Sequence, residues 1–336
     1  MILIFAPMAT LSHEAFRRLI HRFGGCSEYY TEMIHASSLN TNGRFEKYYL
    51  LNGPEPHKIV WQLTDSAEKP IVEAVSRVQT LGGIGIDLNM GCSAPAIYKL
   101  GAGISWMLKD RKETQSLVRS VRTQMDSSAE GCKRLSVKMR LGEESFTMED
   151  LCSFADMLIG EGVNRLVLHP RTKRQNYGRP AQWKYVEQLA SYIRAKHGTA
   201  VSVIGNGDIS DRKSLEEKMK TAPSADGFMI GRSAVQKPWL FAELENNLSF
   251  TADLYELFCF FSDALDEFQP PEFRETRMRR FLAYYCNNFS FSHHLRTKLL
   301  KSFNISYQKE VFLSYLESQK SEQYIRIEKK TDIDTL

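Results

Sequence analysis

An α/β fold, a (β/α)8 TIM barrel followed by an all-helical C-terminal bundle domain, is the architecture that the sequence predicts. Eight short runs of β-forming residues recur within residues 1–244, and a turn and a helix-like stretch follow these runs. After Leu244 the alternation stops, and four helical patterns follow with no strand between them. The two patterns favour a closed barrel with a helical appendage over one open sheet.

The elements follow in chain order. The predicted strands are residues 2–6, 29–33, 58–63, 85–88, 135–139, 165–168, 201–204 and 227–230. Between them, apolar residues at helical spacing predict helices, for example over residues 69–81 and 116–125. The later helices are predicted over residues 251–268, 272–288, 292–303 and 308–318. We therefore expect a barrel over residues 1–244, a helical domain over 245–320 and a short charged tail over 321–336.

Composition narrows the class of protein. The 336 residues are 43% hydrophobic and 25% charged, as in ordinary soluble globular proteins. The N-terminus lacks the pattern of a secretion signal, and charges interrupt the longest apolar runs. The six cysteines are scattered without ligand spacing, which argues against a zinc site and a disulfide framework. We expect a cytoplasmic monomer that does not associate with a membrane; the net charge of +4 is too small to identify a partner.

Polar residues lie at or just after the carboxyl ends of the predicted strands, where the chemistry of such barrels lies. These residues are Pro7 and Met8, Gln62, Asn89 with Cys92, Lys138, His169, Asn206 with Gly207 and Asp208, and Gly231 with Arg232. The loops after the last two strands of such barrels often bind phosphate, because glycine lets the backbone approach closely and arginine adds a charged donor. Amide and cationic partners for a ring, together with donors for a phosphate, predict FMN.

Each motif alone has a simpler interpretation. A single Gly-Arg or Asn-Gly-Asp is usually a turn, and a lone histidine is more often structural than functional. Cys92 by itself is more often a small buried hydrophobic residue, since free cysteine is among the most buried residue types. It is the occurrence of all these residues at successive strand ends that favours a site.

As a set, the motifs resemble those of the tRNA-dihydrouridine synthases, flavoenzymes that reduce a uridine ring in folded tRNA. The matching pieces are Ala6-Pro7-Met8, Tyr30-Thr31-Glu32-Met33, Gln62-Leu63, Asp87 to Cys92, Lys99 to Gly103, Val137 to Gly142, His169 to Thr172, Gly205 to Asp208, and Met229 to Arg232 with Pro238-Trp239. The resemblance covers the whole barrel. The chain departs from the family pattern at Ser93 and Pro170, where the family usually has proline and a small residue.

The resemblance implies the reaction and its participants. NADPH, or NADH, reduces FMN, and reduced FMN then gives hydride to C6 of the uracil ring while Cys92 protonates C5. Asn89 would contact the uracil edge, and Arg171 is a second candidate for the uracil or a nearby phosphate. Lys138 and His169 would hold the flavin ring. Pro7, Met8, Gln62, Asn206, Gly207, Asp208, Gly231 and Arg232 complete the predicted cofactor site.

The helical domain is the predicted tRNA-binding part. Residues 274–301 contain seven Lys or Arg and one acid, with Phe281, Tyr284, Tyr285, Phe289 and Phe291 interleaved. Basic and aromatic side chains together suit phosphate contact and base stacking. The prediction falls chiefly on Arg277, Arg279 and Arg280. The simpler interpretation is that the aromatic residues form bundle core and the charges a solvated face.

Two other functions remain open from the sequence. One is an FMN-dependent enzyme for a free small molecule, such as a dihydroorotate dehydrogenase, although such an enzyme does not need a basic helical domain. The other is a tRNA-binding protein without catalysis. Bound flavin would support both enzymes over the binding protein, and steeply salt-dependent tRNA binding would support both RNA-directed functions.

Overall fold

The computed structural model describes residues 1–128, 131–245 and 249–329. The strands are β1 (Ile2–Phe5), β2 (Glu28–Tyr30), β3 (Ile34–His35), β4 (Ile59–Thr64), β5 (Gly85–Met90), β6 (Arg134–Met139), β7 (Arg165–Leu168), β8 (Ser202–Asn206), β9 (Gly227–Ile230), β10 (Phe250–Asp253) and β11 (Tyr324–Ile327). All pairings from β1 to β9 are parallel, and the sheet closes because β1 pairs with both β2 and β9 while β2 pairs with β4. The short β3 only extends the edge of β4. The predicted barrel is therefore confirmed.

Helices connect the strands and form the C-terminal region. They are α1 (Glu14–His21), α2 (Ala36–Asn40), α3 (Glu46–Tyr49), α4 (Glu68–Gln79), α5 (Pro95–Lys99), α6 (Ser105–Leu108), α7 (Arg111–Asp126), α8 (Met148–Gly160), α9 (Lys184–His197), α10 (Arg212–Thr221), α11 (Arg232–Gln236), α12 (Leu240–Glu245), α13 (Leu254–Phe268), α14 (Pro271–Tyr285), α15 (Ser292–Leu299) and α16 (Ile305–Ser318). Across the described ranges, no helix has both the length and the apolar character that a membrane crossing requires.

Alternation along each strand separates two cores. On β1, Leu3 and Phe5 pack under the outer helices, whereas Ile4 belongs to a second, smaller cluster with Tyr30 and Val60 from neighbouring strands. Successive side chains of a strand point to opposite faces, so the smaller cluster fills the inside of the barrel. This alternation determines which polar residues lie inside.

The C-terminal helices pack on the first helix of the barrel. Phe16 of α1 contacts Phe261 of α13 and Phe281 of α14, with ring centroids 5.9 and 6.2 Å apart. All three rings belong to the main hydrophobic core. The helical region thus shares its core with the barrel and has a fixed position beside the barrel mouth.

The prediction of no strand after Leu244 was wrong. β10 and β11 pair in antiparallel register, with Phe250 opposite Ile327. The predicted tail over residues 321–336 is described as far as residue 329, and it contains β11. The pairing joins segments more than 70 residues apart in sequence, and a local pattern does not reveal such a partner.

Candidate active site at the open end of the barrel

A cavity of about 570 Å³ lies at the carboxyl ends of the strands. Its lining is Pro7, Met8, Ala9, Met33, Gln62, Asn89, Gly91, Cys92, Ser93, Ala94, Lys138, Arg140, His169, Lys173, Arg174, Gln175, Asn176, Tyr177, Arg232, Arg280 and Tyr284. Among these described residues, six are Lys or Arg and none is Asp or Glu. Such a lining attracts an anionic ligand.

A smaller cavity of about 100 Å³ adjoins the first. The two share lining residues that include Lys138, His169 and Arg232, and the smaller one adds Asn206, Gly207, Asp208, Gly231 and Ser233. Gly207 has φ +125°, and a Cβ there would lie 3.1 Å from the ring of His169. Glycine is therefore needed where this loop passes the imidazole.

Cys92 lies on a turn that is held from both sides. Asn89 Oδ1 accepts hydrogen bonds from the backbone N–H groups of Gly91 and Cys92 at 3.2 and 3.0 Å. The N–H of Ile104 donates to the Cys92 carbonyl at 3.0 Å. The proline that the family usually has after the cysteine comes later in this chain, as Pro95, and begins α5. The Cys92 thiol is partly exposed beside the cavity.

Lys138 and His169 lie where the two cavities meet. Burial lowers the pKa of Lys138 to about 8, and among described residues its Nζ has no hydrogen-bond partner. Burial also lowers the pKa of His169 well below its usual value, and Lys138, Arg140, Arg171 and Arg232 lower it further. The imidazole is therefore neutral at physiological pH.

The role predicted for Arg171 was wrong. Its side chain is 1% exposed and does not line either cavity. Nη2 pairs with both oxygens of Asp208 at 2.8 and 2.7 Å, and Nη1 donates to His169 Nε2 at 2.7 Å. A guanidinium can only donate, so Nε2 accepts and the imidazole hydrogen is on Nδ1. Nε and Nη2 also donate to the Arg179 carbonyl, so Arg171 orients His169 from behind the cavity wall and does not present its guanidinium to a uracil or a phosphate in the cavity.

Other predicted cofactor residues also have partners within the protein. Asn206 Nδ2 donates to the Met229 carbonyl at 2.8 Å, which leaves Oδ1 for a ligand. Burial alone would raise the pKa of Asp208, but hydrogen bonds from Arg171 and from the Ala181 N–H bring it below its usual value. Asp208 is therefore an anion that neutralises Arg171 and also contacts Arg232 at 3.3 Å.

The three predicted tRNA contacts on α14 have different environments. Arg277 is 2% exposed and pairs with Glu32, which follows β2, at 3.0 and 2.9 Å. It joins the helical region to the barrel, so its predicted tRNA contact was wrong. Arg279 is exposed and bonds to Glu275 at 2.9 Å. Arg280 is also exposed but lines the large cavity.

The aromatic residues of the same window divide between core and site. Phe281, Tyr285 and Phe289 are buried in the bundle core, as the simpler interpretation stated. Tyr284 is half-buried and lines the cavity beside Arg280, whereas Phe291 is exposed. Helical phase therefore turns one aromatic residue of α14 toward the cavity.

Some cavity residues were not assigned from the sequence. Arg140 follows β6 and donates to the carbonyls of Thr172 and Gln175. Tyr177 stacks on His169 at 5.9 Å between ring centroids, with the Arg232 guanidinium 4.3 Å from its centroid. The position of Arg140 at a strand end was a signal for a site residue. In the loop that holds Tyr177, the sequence offered only a weak indication of a site, the two successive cations Lys173 and Arg174.

Comparison with known proteins identifies the family. The sequence profile described as dihydrouridine synthase matches residues 4–320. The chain belongs to the dihydrouridine synthase family. The predictions of this family and of an enzyme are therefore confirmed.

Individual relatives and folds agree with this membership. The chain is 31% identical over 268 residues to a probable tRNA-dihydrouridine synthase from Aquifex aeolicus, across 78% of each chain. It is also 31% identical to the tRNA-dihydrouridine(47) synthase [NAD(P)(+)]-like protein of Mus musculus, across 72% of this chain and 36% of that one. A 2-naphthoyl-CoA reductase structure matches 72% of this chain and 49% of that chain with a TM-score of 0.53 at 11% identity, which shows the fold alone.

Proposed function

We propose that this member of the dihydrouridine synthase family reduces the C5–C6 double bond of a uridine in tRNA, with FMN as cofactor and NADPH or NADH as reductant. The observation that carries the proposal is a thiol, Cys92, beside a cationic cavity whose described lining contains no acid. Family membership supports a uridine substrate.

FMN fits the donors of the two joined cavities. Lys138 is half-buried in the cavity lining and its Nζ makes no hydrogen bond to the described residues, and His169 has its hydrogen on Nδ1. A cation and a neutral donor suit the polar atoms of an isoalloxazine ring, with Pro7, Met8 and Gln62 beside them. Asn206, Gly207, Gly231 and Arg232 line the smaller cavity, and Arg232 supplies a charged donor for a phosphate. When bound and reduced by the nicotinamide, FMN supplies the hydride for C6 of the uracil.

Cys92 supplies the proton for C5 in this proposal. Hydride at C6 and a proton at C5 together saturate one double bond, so the thiol becomes a thiolate and regains its proton from water. General acid catalysis requires the donor to lie within reach of the atom that it protonates. The hydrogen bonds to the N–H and C=O of Cys92 hold the residue in position for this step.

The cations of the large cavity would bind the tRNA around the reacting base. A stacked uridine must leave its stack to enter the cavity, at a cost of about a few kcal/mol that other contacts must offset. Arg280 on α14 lies at this cavity and suits phosphate contact. Lys173 and Arg174 on the barrel side also line it, but they pair with Glu143 and Glu144 at 2.7 and 3.7 Å and would have to exchange those partners for phosphates. Asn89 lines the cavity, but its oxygen accepts from the turn and its N–H₂ group donates to Gln62 Oε1 at 3.0 Å. Only the second hydrogen of that group, whose contact is the weak acceptor Met33 Sδ at 3.3 Å, would be available to the uracil.

A single-turnover assay tests the proposal. Cys92→Ala should retain FMN and its reduction by NADPH while slowing dihydrouridine formation on tRNA by about 100-fold or more, the upper part of the usual range for a general acid. The matched control is Cys259→Ala, which removes another partly exposed thiol from α13, outside both cavities. Uridine reduction at the wild-type rate in Cys92→Ala would refute the role of the thiol.

A second measurement tests the substrate. Dihydrouridine mapped in tRNA from cells with and without the gene should disappear at one or more positions when the gene is deleted. Unchanged modification at every position would contradict the assignment of tRNA as the substrate.

A further inference from the structure

A series of hydrogen bonds crosses the inside of the barrel beneath the candidate active site. Asp87 Oδ2 accepts from Gln62 Nε2 at 2.8 Å, and Gln62 Oε1 accepts from Asn89 Nδ2 at 3.0 Å. Asn89 Oδ1 then accepts from the backbone N–H of Cys92 at 3.0 Å. We call Asp87, Gln62, Asn89 and Cys92 the polar row. It begins at a buried carboxylate and ends at the residue that carries the thiol.

Strand geometry brings the polar row together. Gln62 on β4 lies opposite Asp87 on β5. Asn89 is two residues beyond Asp87, so the two side chains point to the same face, which is the inside of the barrel. The intervening Leu88 and the neighbouring Trp61 point outward into the main core. The pairing of β4 with β5 therefore places three polar side chains in contact.

The charge of Asp87 sets the direction of every hydrogen bond in the row. Burial raises the pKa of Asp87 to about 6, while hydrogen bonds from Ser136 and Gln62 and the charges of Lys138 and Arg134 lower it. The group is therefore a carboxylate at neutral pH, and a carboxylate can only accept. Gln62 must present its N–H₂ to Asp87 and its oxygen to Asn89. Asn89 must in turn present its oxygen to the turn.

A reversed carboxamide at either position would bring two donors or two acceptors face to face. Buried polar groups left unpaired in this way cost more than a hydrogen bond contributes. The row consequently permits one orientation of Gln62 and one of Asn89. That orientation holds the backbone on which Cys92 lies.

We propose that Asp87 is a positioning residue for the reduction of the substrate ring, because its carboxylate holds Gln62 and Asn89 in the orientation that fixes the Cys92 turn. Asp87 lines neither cavity. The inference rests on the proposed function of Cys92 as proton donor. Asp87 also carries a charge that acts on Lys138, so the coupling to Asn89 is what identifies the effect that runs through the row.

A double-mutant cycle on the rate of transfer to tRNA tests the inference. Asp87→Leu removes both acceptor oxygens, and Asn89→Ala removes the far end of the row. With FMN at saturation and the flavin reduced beforehand, Asp87→Leu should slow single-turnover uridine reduction by about 10- to 100-fold, the usual effect of a misplaced reacting group. In the Asn89→Ala background the same substitution should slow it by less than about threefold, since contacting residues of one network are not additive.

Two further variants separate positioning from loss of structure. Asp87→Asn keeps an acceptor oxygen for Gln62, so it should restore most of the rate that Asp87→Leu loses. Thr64→Val removes a buried hydroxyl from the next inward position of β4, outside the row, and its effect should multiply with that of Asn89→Ala. An Asp87→Leu effect of equal size in the two backgrounds would overturn the inference.

The rate of Cys92 alkylation tests the inference without tRNA, so the inference can fail or hold independently of the proposed function. If wild-type protein forms no dihydrouridine, the proposed function fails, but the rate at which iodoacetamide alkylates Cys92 still reports on the turn. Asp87→Leu and Asn89→Ala should each change that rate severalfold, and the double variant should match Asn89→Ala. If Asp87→Leu does not fold, Gln62→Met breaks the next hydrogen bond of the row and should give the same coupling. A wild-type alkylation rate in the folded variant would count against the row.

Discussion

The titration of Asp87 makes a quantitative prediction about stability. Its pKa is about 6 in the folded protein, against about 3.9 for an aspartate in an unfolded chain. Between these values the native state binds more protons than the unfolded state, so the free energy of unfolding falls as pH rises. One pKa unit corresponds to about 1.4 kcal/mol, so above about pH 6 the ionised carboxylate lowers the free energy of unfolding by about 3 kcal/mol.

Asp87→Asn removes this titration and keeps the side-chain shape. The difference in unfolding free energy, variant minus wild type, should therefore rise by about 2 kcal/mol between about pH 4.5 and about pH 7.5, the part of the full effect that this window covers. Reversible urea unfolding at matched flavin content measures it. The charged or titratable groups that act on Asp87 are Lys138 and Arg134 on β6 and Tyr30 on β2. Lys138 has a pKa of about 8, above this pH range, so it stays charged while Asp87 titrates.

Asp65 provides a matched control, because its pKa in the folded protein is shifted in the opposite direction to that of Asp87. Burial raises the pKa of Asp65, but hydrogen bonds from Ser37 and Ser66 outweigh burial and bring it below its usual value. For Asp65→Asn the difference in unfolding free energy should not rise between the same two pH values. A difference for Asp87→Asn that stays constant with pH would refute the reasoning that burial controls this group.

Two further predictions concern the large cavity and the Cys92 turn. Arg280→Ala should weaken tRNA binding and lower its salt dependence by about one counterion. Arg279→Ala removes the same charge outside the cavity and should have the smaller effect. Equal effects of the two variants in a filter-binding salt titration would contradict this prediction. Gly103→Ala should slow uridine reduction and lower stability by about 1–3 kcal/mol, because its Cβ would lie 2.5 Å from the Cys92 carbonyl oxygen. The control Gly101→Ala has a similar positive φ with only a 3.6 Å contact, so an equal loss of rate would argue against displacement of Cys92.

Much of the candidate site follows from one rule about barrels. Cys92, Lys138 and His169 lie at the carboxyl ends of three different strands, and parallel strands of a closed barrel bring these ends to one rim. The periodicity of a strand is a property of a short segment, so the strand ends could be predicted from the sequence. The position of these residues around one cavity required no knowledge of side-chain partners.

The errors have a common physical origin. Arg277 was assigned to tRNA because its surroundings in the sequence are basic, and Arg171 was assigned to the uracil or a nearby phosphate because of the family resemblance. Each is neutralised by an acid elsewhere in the fold, Asp208 at 37 residues and Glu32 at 245 residues along the chain. Whether a cation is free for a ligand depends on such partners, and charge patterning cannot identify them.

By itself the sequence determined the barrel, its helical appendage and the set of residues at the strand ends, because alternation and strand length are properties of short segments. Only the tertiary structure decided which of those residues are available. It turned Arg280 toward the cavity and Arg277 into the core, since the packing of α14 on the barrel sets the phase of the helix. It also joined Asp87 to Cys92 through two carboxamides, because the pairing of β4 with β5 determines which inward side chains meet.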